Sequence, residues 1–215
     1  MRLLLLNPNT SANTTAAMLA IARDAAPDGV TLSGATAPHG AALITEAAAL
    51  ATAAGAVLSL VPALRQDPPD GVVLAAFGDP GLEELRAALP CSVTGLAEAG
   101  MAEAAAFGRG FAVVTTTPGL VDSITCLAAG YGHAAAFRGV YLTPGEPAAV
   151  MADPARLREA LAQACEAAVA AGAGALVIGG GPLATAARAL AGRFPVPLVE
   201  PVPAAIRLAL VRAGG

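Results

Sequence analysis

Short apolar runs recur along the chain. Each stops at a turn rich in Gly, Pro or Asn and opens into an alanine-rich helical pattern. Residues 72–77, Val-Val-Leu-Ala-Ala-Phe, end at Gly78-Asp79-Pro80-Gly81 and lead into a helical pattern over 82–88. An unbroken apolar run of this length reads as a strand buried on both faces of a parallel sheet. The same reading gives strands over 2–6, 30–36, 91–94, 111–114, 137–142, 175–178 and 197–199. Between them the spacing predicts helices. One runs to about 26 and is capped by Thr10, Ser11 or Asn13. A long one covers 42–65, interrupted near Gly55. Others cover about 97–107, 120–129, 154–171, 183–191 and 201 onward. Asp153 followed by Pro154 is a helix start by its chemistry: the carboxylate caps free N–H groups, and proline needs none.

Strands alternating with helices imply an α/β fold with parallel sheets and right-handed crossovers. The pattern also repeats at a period of about 105 residues. Asn7-Pro8-Asn9-Thr10 is answered by Thr115-Thr116-Thr117-Pro118, and Phe77-Gly78-Asp79-Pro80-Gly81 by Gly179-Gly180-Gly181-Pro182-Leu183. The expected architecture is two pseudo-symmetric lobes, each a parallel four-stranded sheet flanked by helices. The lobes are expected at 1–96 and 97–200, with a closing helix over 201–215 packed back on the first. Open α/β sheets bind ligands at the carboxyl ends of their strands. Two matching strand ends therefore imply one ligand cleft between the lobes.

Composition removes several classes of partner. The 215 residues carry a net charge of −4, no Trp and only 3% aromatics, so base-stacking surfaces and basic patches are missing and nucleic acid is not expected. A spanning segment and a secretory signal are not expected either, since 2–6 is short and runs into Asn-Pro-Asn-Thr; a cytoplasmic protein is the default. Cys91, Cys126 and Cys165 are odd in number and widely spaced, which fits neither a disulfide framework nor a metal site. They read as small buried hydrophobes. The weakly charged, alanine-rich surface leans toward a homo-oligomer.

The motifs, taken in order, resemble the aspartate/glutamate/hydantoin racemase superfamily, closest to its hydantoin and allantoin racemase branch. They are Asn7-Pro8-Asn9-Thr10-Ser11, Phe77-Gly78-Asp79-Pro80-Gly81-Leu82, Gly95-Leu96-Ala97-Glu98-Ala99, Thr115-Thr116 and 174–179. The resemblance spans the whole chain. It implies a cofactor-free, two-lobed enzyme acting on a small molecule, a carboxylate or a cyclic imide or amide, at the acidic carbon next to a carbonyl. It also implies two cysteines, one at each paired strand end, that pass a proton on opposite faces of that carbon. Here those positions hold Ala76 and Gly180.

Methyl and hydrogen side chains transfer no protons. A replacement acid or base is expected among Asp79, Glu98, Glu200 and His39, with Thr115 to Thr117 as weaker alternatives. A carboxylate base would need apolar surroundings that raise its pKa. Substrate binding is expected from Asn7, Thr10, Ser11, Phe77, Gly78, Thr115, Thr116, Gly181, Pro182 and Leu183. Backbone N–H groups after the two strand ends would favour a carboxylate, an imide oxygen or a developing enolate. Three readings stay open: racemisation by another pair; a lyase, decarboxylase or hydrolase using backbone oxyanion donors; or binding without turnover. On a conventional scaffold, Ala76→Cys with Gly180→Cys would install racemase activity.

Overall fold

The structure is a computed structural model that describes residues 1–214. The first lobe has β1 (Arg2–Asn7), α1 (Ala12–Ala25), β2 (Thr31–Thr36), α2 (Ala47–Leu58), α3 (Val61–Gln66), β3 (Gly71–Leu74), α4 (Leu82–Ala88) and β4 (Ser92–Gly95). After α5 (Leu96–Ala106) come β5 (Phe111–Thr115), α6 (Val121–Gly130), β6 (Phe137–Leu142), α7 (Pro147–Met151), α8 (Pro154–Ala170), β7 (Ala175–Ile178), α9 (Ala184–Ala189) and β8 (Leu198–Val199). The chain closes with α10 (Pro201–Gly214); Gly215, the last residue of the expected 201–215 helix, lies outside the described residues.

Both sheets are parallel and four-stranded, in the orders β2-β1-β3-β4 and β6-β5-β7-β8. The second sheet repeats the first, as the sequence period requires. Each central strand divides its side chains between two cores, because successive residues point to opposite faces. Leu3, Leu5, Val73 and Ala75 face one core that also takes Phe111, Val113, Ala175 and Val177 from the second sheet. Leu4, Leu6, Val72 and Leu74 face an outer core under α2 and α4. Ala112, Val114, Leu176 and Ile178 face another under α8. The lobes thus share a continuous apolar core, with α5 and α10 contributing to it. Truncating a member such as Leu5, which is fully buried, would cost about 2–5 kcal/mol. The closing helix α10 packs on α5, α1, β3 and β4, and Arg207 and Arg212 pair with Glu103 and Glu98 of α5.

Capping follows the sequence closely. Ser11 caps α1, its side chain accepting from the Thr14 N–H, and Asp153 caps α8. The expected 42–65 helix differs. Residues 41–46 are irregular, and the break falls at 59–60 rather than at Gly55. Pro62 sits in the first turn of α3, where its missing N–H and its ring end the preceding helix. The short α7, capped by Glu146, replaces part of an expected loop. By length and composition alone, residues 47–66 would suffice to cross a membrane (mean hydropathy 1.9). In the fold they form two helices that bury Ala53, Ala56 and Val57 on the first lobe.

Candidate active site

The cleft lies where the carboxyl ends of β1, β3, β5 and β7 meet. Its walls are Asn9, Leu43, Ile44, Leu50, 75–77, 115–117, Leu120, Met151 and 179–183. Its empty space, open mouth included, is about 510 Å³. The site is a slot of a size that suits a small ligand.

Its polarity comes from the backbone. Strand pairing continues to the N–H groups of Ala75 and Gly179, bonded to Leu6 O and Val114 O, and then stops. The N–H groups of Ala76, Phe77, Thr116, Thr117, Gly180 and Gly181, all on cleft-lining residues, make no hydrogen bond within the described protein. Consecutive free N–H groups form concavities that hold anionic oxygen. Asn9 adds a side-chain amide. Its Oδ1 accepts from Asn7 Nδ2 at 2.9 Å and from the Ser11 N–H at 2.9 Å, while its Nδ2 has no hydrogen-bond partner among the described residues. Thr115 and Thr117 share a hydroxyl–hydroxyl bond of 3.0 Å, and the Thr116 hydroxyl meets the Met151 sulfur at 3.5 Å. The apolar part of the lining is Leu43, Ile44, Leu50, Leu120, Met151 and Leu183.

Among the described residues no Asp, Glu, His, Cys, Lys, Arg or Tyr lines this slot. The four expected acid/base candidates lie elsewhere, each for a visible reason. Asp79 is buried behind its loop, where Oδ1 accepts from the Ala97 N–H at 3.0 Å and Oδ2 from the Glu98 N–H at 2.8 Å and the Tyr131 hydroxyl at 2.7 Å. Burial pushes its carboxyl up to about 6 against the pull of those donors. Glu98 is held by Arg212 and Arg86, which outweigh its burial and bring it down to about 2. Glu200 pairs with Arg188, which also reaches Asp24. His39 is exposed on the 37–46 loop. Cys91 is half-buried, Cys126 exposed, and Cys165 buried in the second lobe's outer core with its thiol pushed up to about 12.

The expected binding residues divide. Phe77, Thr115, Thr116, Gly181, Pro182 and Leu183 line the slot, as do Ala76 and Gly180. Asn7, Thr10, Ser11 and Gly78 do not. Asn7 is fully buried and spends its amide on Asn9, Ser11 and Thr15, so it builds the turn that presents Asn9. The Thr10 N–H holds Ala41 O, Ser11 caps α1, and Gly78 packs under Leu50. Asn9 and Thr117 belong to motifs visible in the sequence. Leu43, Ile44 and Met151 come from stretches whose sequence reads as helix or loop. Among the described residues no three His, Cys, Asp or Glu side chains come together.

The fold and slot define a two-lobed α/β scaffold with a cleft between like strand ends. The chain belongs to the Asp/Glu/Hydantoin racemase family, whose profile matches residues 3–209. It is 30% identical to a hydantoin racemase of Paenarthrobacter aurescens over 97% of this chain and 89% of that protein. Two solved structures are similar over all of this chain. The allantoin racemase from Klebsiella pneumoniae has a TM-score of 0.92 at 32% identity, with 89% of it covered. The allantoin racemase from Pseudomonas fluorescens has a TM-score of 0.91 at 31% identity, with 92% of it covered.

Proposed function

We propose that the protein is a cofactor-independent enzyme of this family that stabilises an enolate on a small carboxylate substrate, by a step that takes no proton through a cleft side chain, and that a hydantoin-like ring binds in the same slot without turnover. One observation carries this reading: six backbone N–H groups without a partner among the described residues belong to residues that line a slot with no titratable side chain. Preorganised donors of this kind favour charge that develops on oxygen. Two-base racemisation also needs an acid and a base on opposite faces of the carbon, and Ala76 and Gly180 supply neither.

Loss of CO₂ forms the same enolate without a base. The bond from the carbon to one carboxylate breaks, and its electron pair passes into the retained carboxylate as an enediolate held by the backbone donors. CO₂ leaves along the Leu43, Ile44 and Met151 side. Water then protonates the carbon and leaves hydroxide. With no side chain to choose a face, the product is racemic.

A second reading is binding without turnover. It is favoured by Leu183, whose side chain packs within 3.1 Å of where a β-carbon of Gly180 would stand. Incubation with an unsymmetrical 2,2-disubstituted malonate, read by CO₂ release and chiral chromatography, separates the two. Release above the buffer rate with racemic product supports the enzyme. Saturable malonate binding with no release supports the binder. A single product enantiomer contradicts the proposed proton source.

A further inference from the structure

We propose that the Tyr131–Asp79 hydrogen bond is a strut that sets the separation between the two groups of backbone donors, with Asp79 as the positioning residue of the first-lobe group. The functional half of this inference rests on the reading of the slot as an anion site. The structural half does not.

Asp79 shapes the first group directly. It follows Ala76, Phe77 and Gly78, and its own N–H closes their turn onto Ala76 O at 3.1 Å. Among the described residues it is the one non-glycine with positive φ, at 42°. Such a conformation persists only where the surroundings over-determine it. Here three donors do so: the Ala97 and Glu98 N–H groups at the start of α5, and the Tyr131 hydroxyl. Space is fitted to the same end, since a β-carbon at Gly95 would stand 2.4 Å from Asp79 Oδ2.

Tyr131 connects this residue to the other group. It stands at the C-terminal end of α6, and α6 follows directly on the 118–120 turn after Thr116 and Thr117. The helix that begins beside the second donor group therefore ends on the residue that shapes the first. A helix of ten residues spans about 15 Å and is stiff along its axis. The remaining charged neighbours of Asp79 sit behind it: Glu98 on α5, with Arg86 of α4 and Arg212 of α10 bound to Glu98. None of these reaches the slot.

Tyr131→Phe removes the hydroxyl and keeps the ring. In the ligand-free protein, exchange of the Asp79 amide proton, followed by NMR, should quicken about tenfold, with shifted amide resonances at 76–78. Ile124→Val weakens α6 from its buried face and should leave both readouts as in the parent. Calorimetric titration with 5-isopropylhydantoin should then show about tenfold weaker binding in Tyr131→Phe. The parent's affinity should change near pH 6, that inflection moving upward in Tyr131→Phe and vanishing in Asp79→Asn. Parent-like Asp79 exchange in a folded Tyr131→Phe variant overturns the strut, as does an equal effect in Ile124→Val. If Tyr131→Phe does not fold, Asp79→Asn carries the test: unshifted 76–78 amides overturn the positioning role. Faster exchange with no hydantoin binding by the parent supports the strut and overturns the anion site instead.

Discussion

The ring of Phe77 lies against the α-carbon of Gly179: a β-carbon there would stand 2.8 Å from Phe77 Cδ1 and 2.9 Å from Val113 Cγ1. The chain leaving β3 thus reaches across to the chain leaving β7, and the first lobe's loop is seated in the second. Gly179→Ala should destabilise the protein by about 1–3 kcal/mol through overpacking. Thermal unfolding would show it, and Phe77→Leu in the same chain should restore part of the loss. An unchanged midpoint in Gly179→Ala would mean that Phe77 has room to move.

Two carboxyls give the stability opposite slopes with pH. Asp79 titrates near 6 in the fold against 3.8 as its ordinary value, so its contribution is complete below pH 3.8 and is lost as pH rises through about 6. Glu98 titrates near 2 against 4.5, so its contribution is complete above pH 4.5 and is lost as pH falls toward 2. Each amounts to roughly 2–3 kcal/mol at most, the Glu98 figure being discounted because its Arg partners are about one-third exposed. Denaturant midpoints across pH should be highest near pH 4–5 for this pair. Asp79→Asn should flatten the limb from 4 to 6, and Glu98→Gln the acid limb.

Asn9 offers the slot a donor while its oxygen holds the loop. Asn9→Asp keeps the acceptor and replaces the free Nδ2 with charge. Hydantoin or malonate binding should weaken by about tenfold or more, with a smaller change in thermal midpoint. Isothermal titration on the two proteins checks this, and equal affinities would remove Asn9 from the site.

Much of this was legible in the sequence, and the remainder has a physical reason. The β/α alternation, the repeat, a cap for α1 within Thr10, Ser11 and Asn13, the cap at Asp153, and the bounds of β6 and β7 follow from local chemistry. So do both strand ends, and the family resemblance then singled out Ala76 and Gly180 there. The fate of Asp79 could not be read, because its partners Ala97, Glu98 and Tyr131 lie 18, 19 and 52 residues away. A carboxylate beside a cleft and one capping a helix behind it share the same Gly-Asp-Pro-Gly. The apolar wall was hidden because residues 41–46 leave a helical pattern for tertiary contacts. Ala41 O takes the Thr10 N–H, and Thr45 O lies so close to Gly119 that a β-carbon there would be 2.7 Å away.

Restoring the thiols should not be symmetrical. Ala76 already presents a β-carbon to the slot, so Ala76→Cys should fold normally and react with iodoacetamide. Gly180 has φ of 154° and crowds against Leu183, so Gly180→Cys should lower the thermal midpoint. Adding Leu183→Ala should recover part of it. Only the triple variant should exchange the α-proton of a hydantoin; exchange in the Cys pair alone would show that Leu183 yields freely.

The most direct measurement follows each enantiomer of 5-isopropylhydantoin with the unmodified protein in D₂O, by NMR and chiral chromatography. A slot that holds the anion and lacks a proton-transferring side chain should bind the hydantoin saturably. It should give neither α-deuterium nor the opposite enantiomer above the buffer rate. Saturable deuterium exchange with racemisation from both enantiomers would contradict it and would require an acid/base pair at the strand ends.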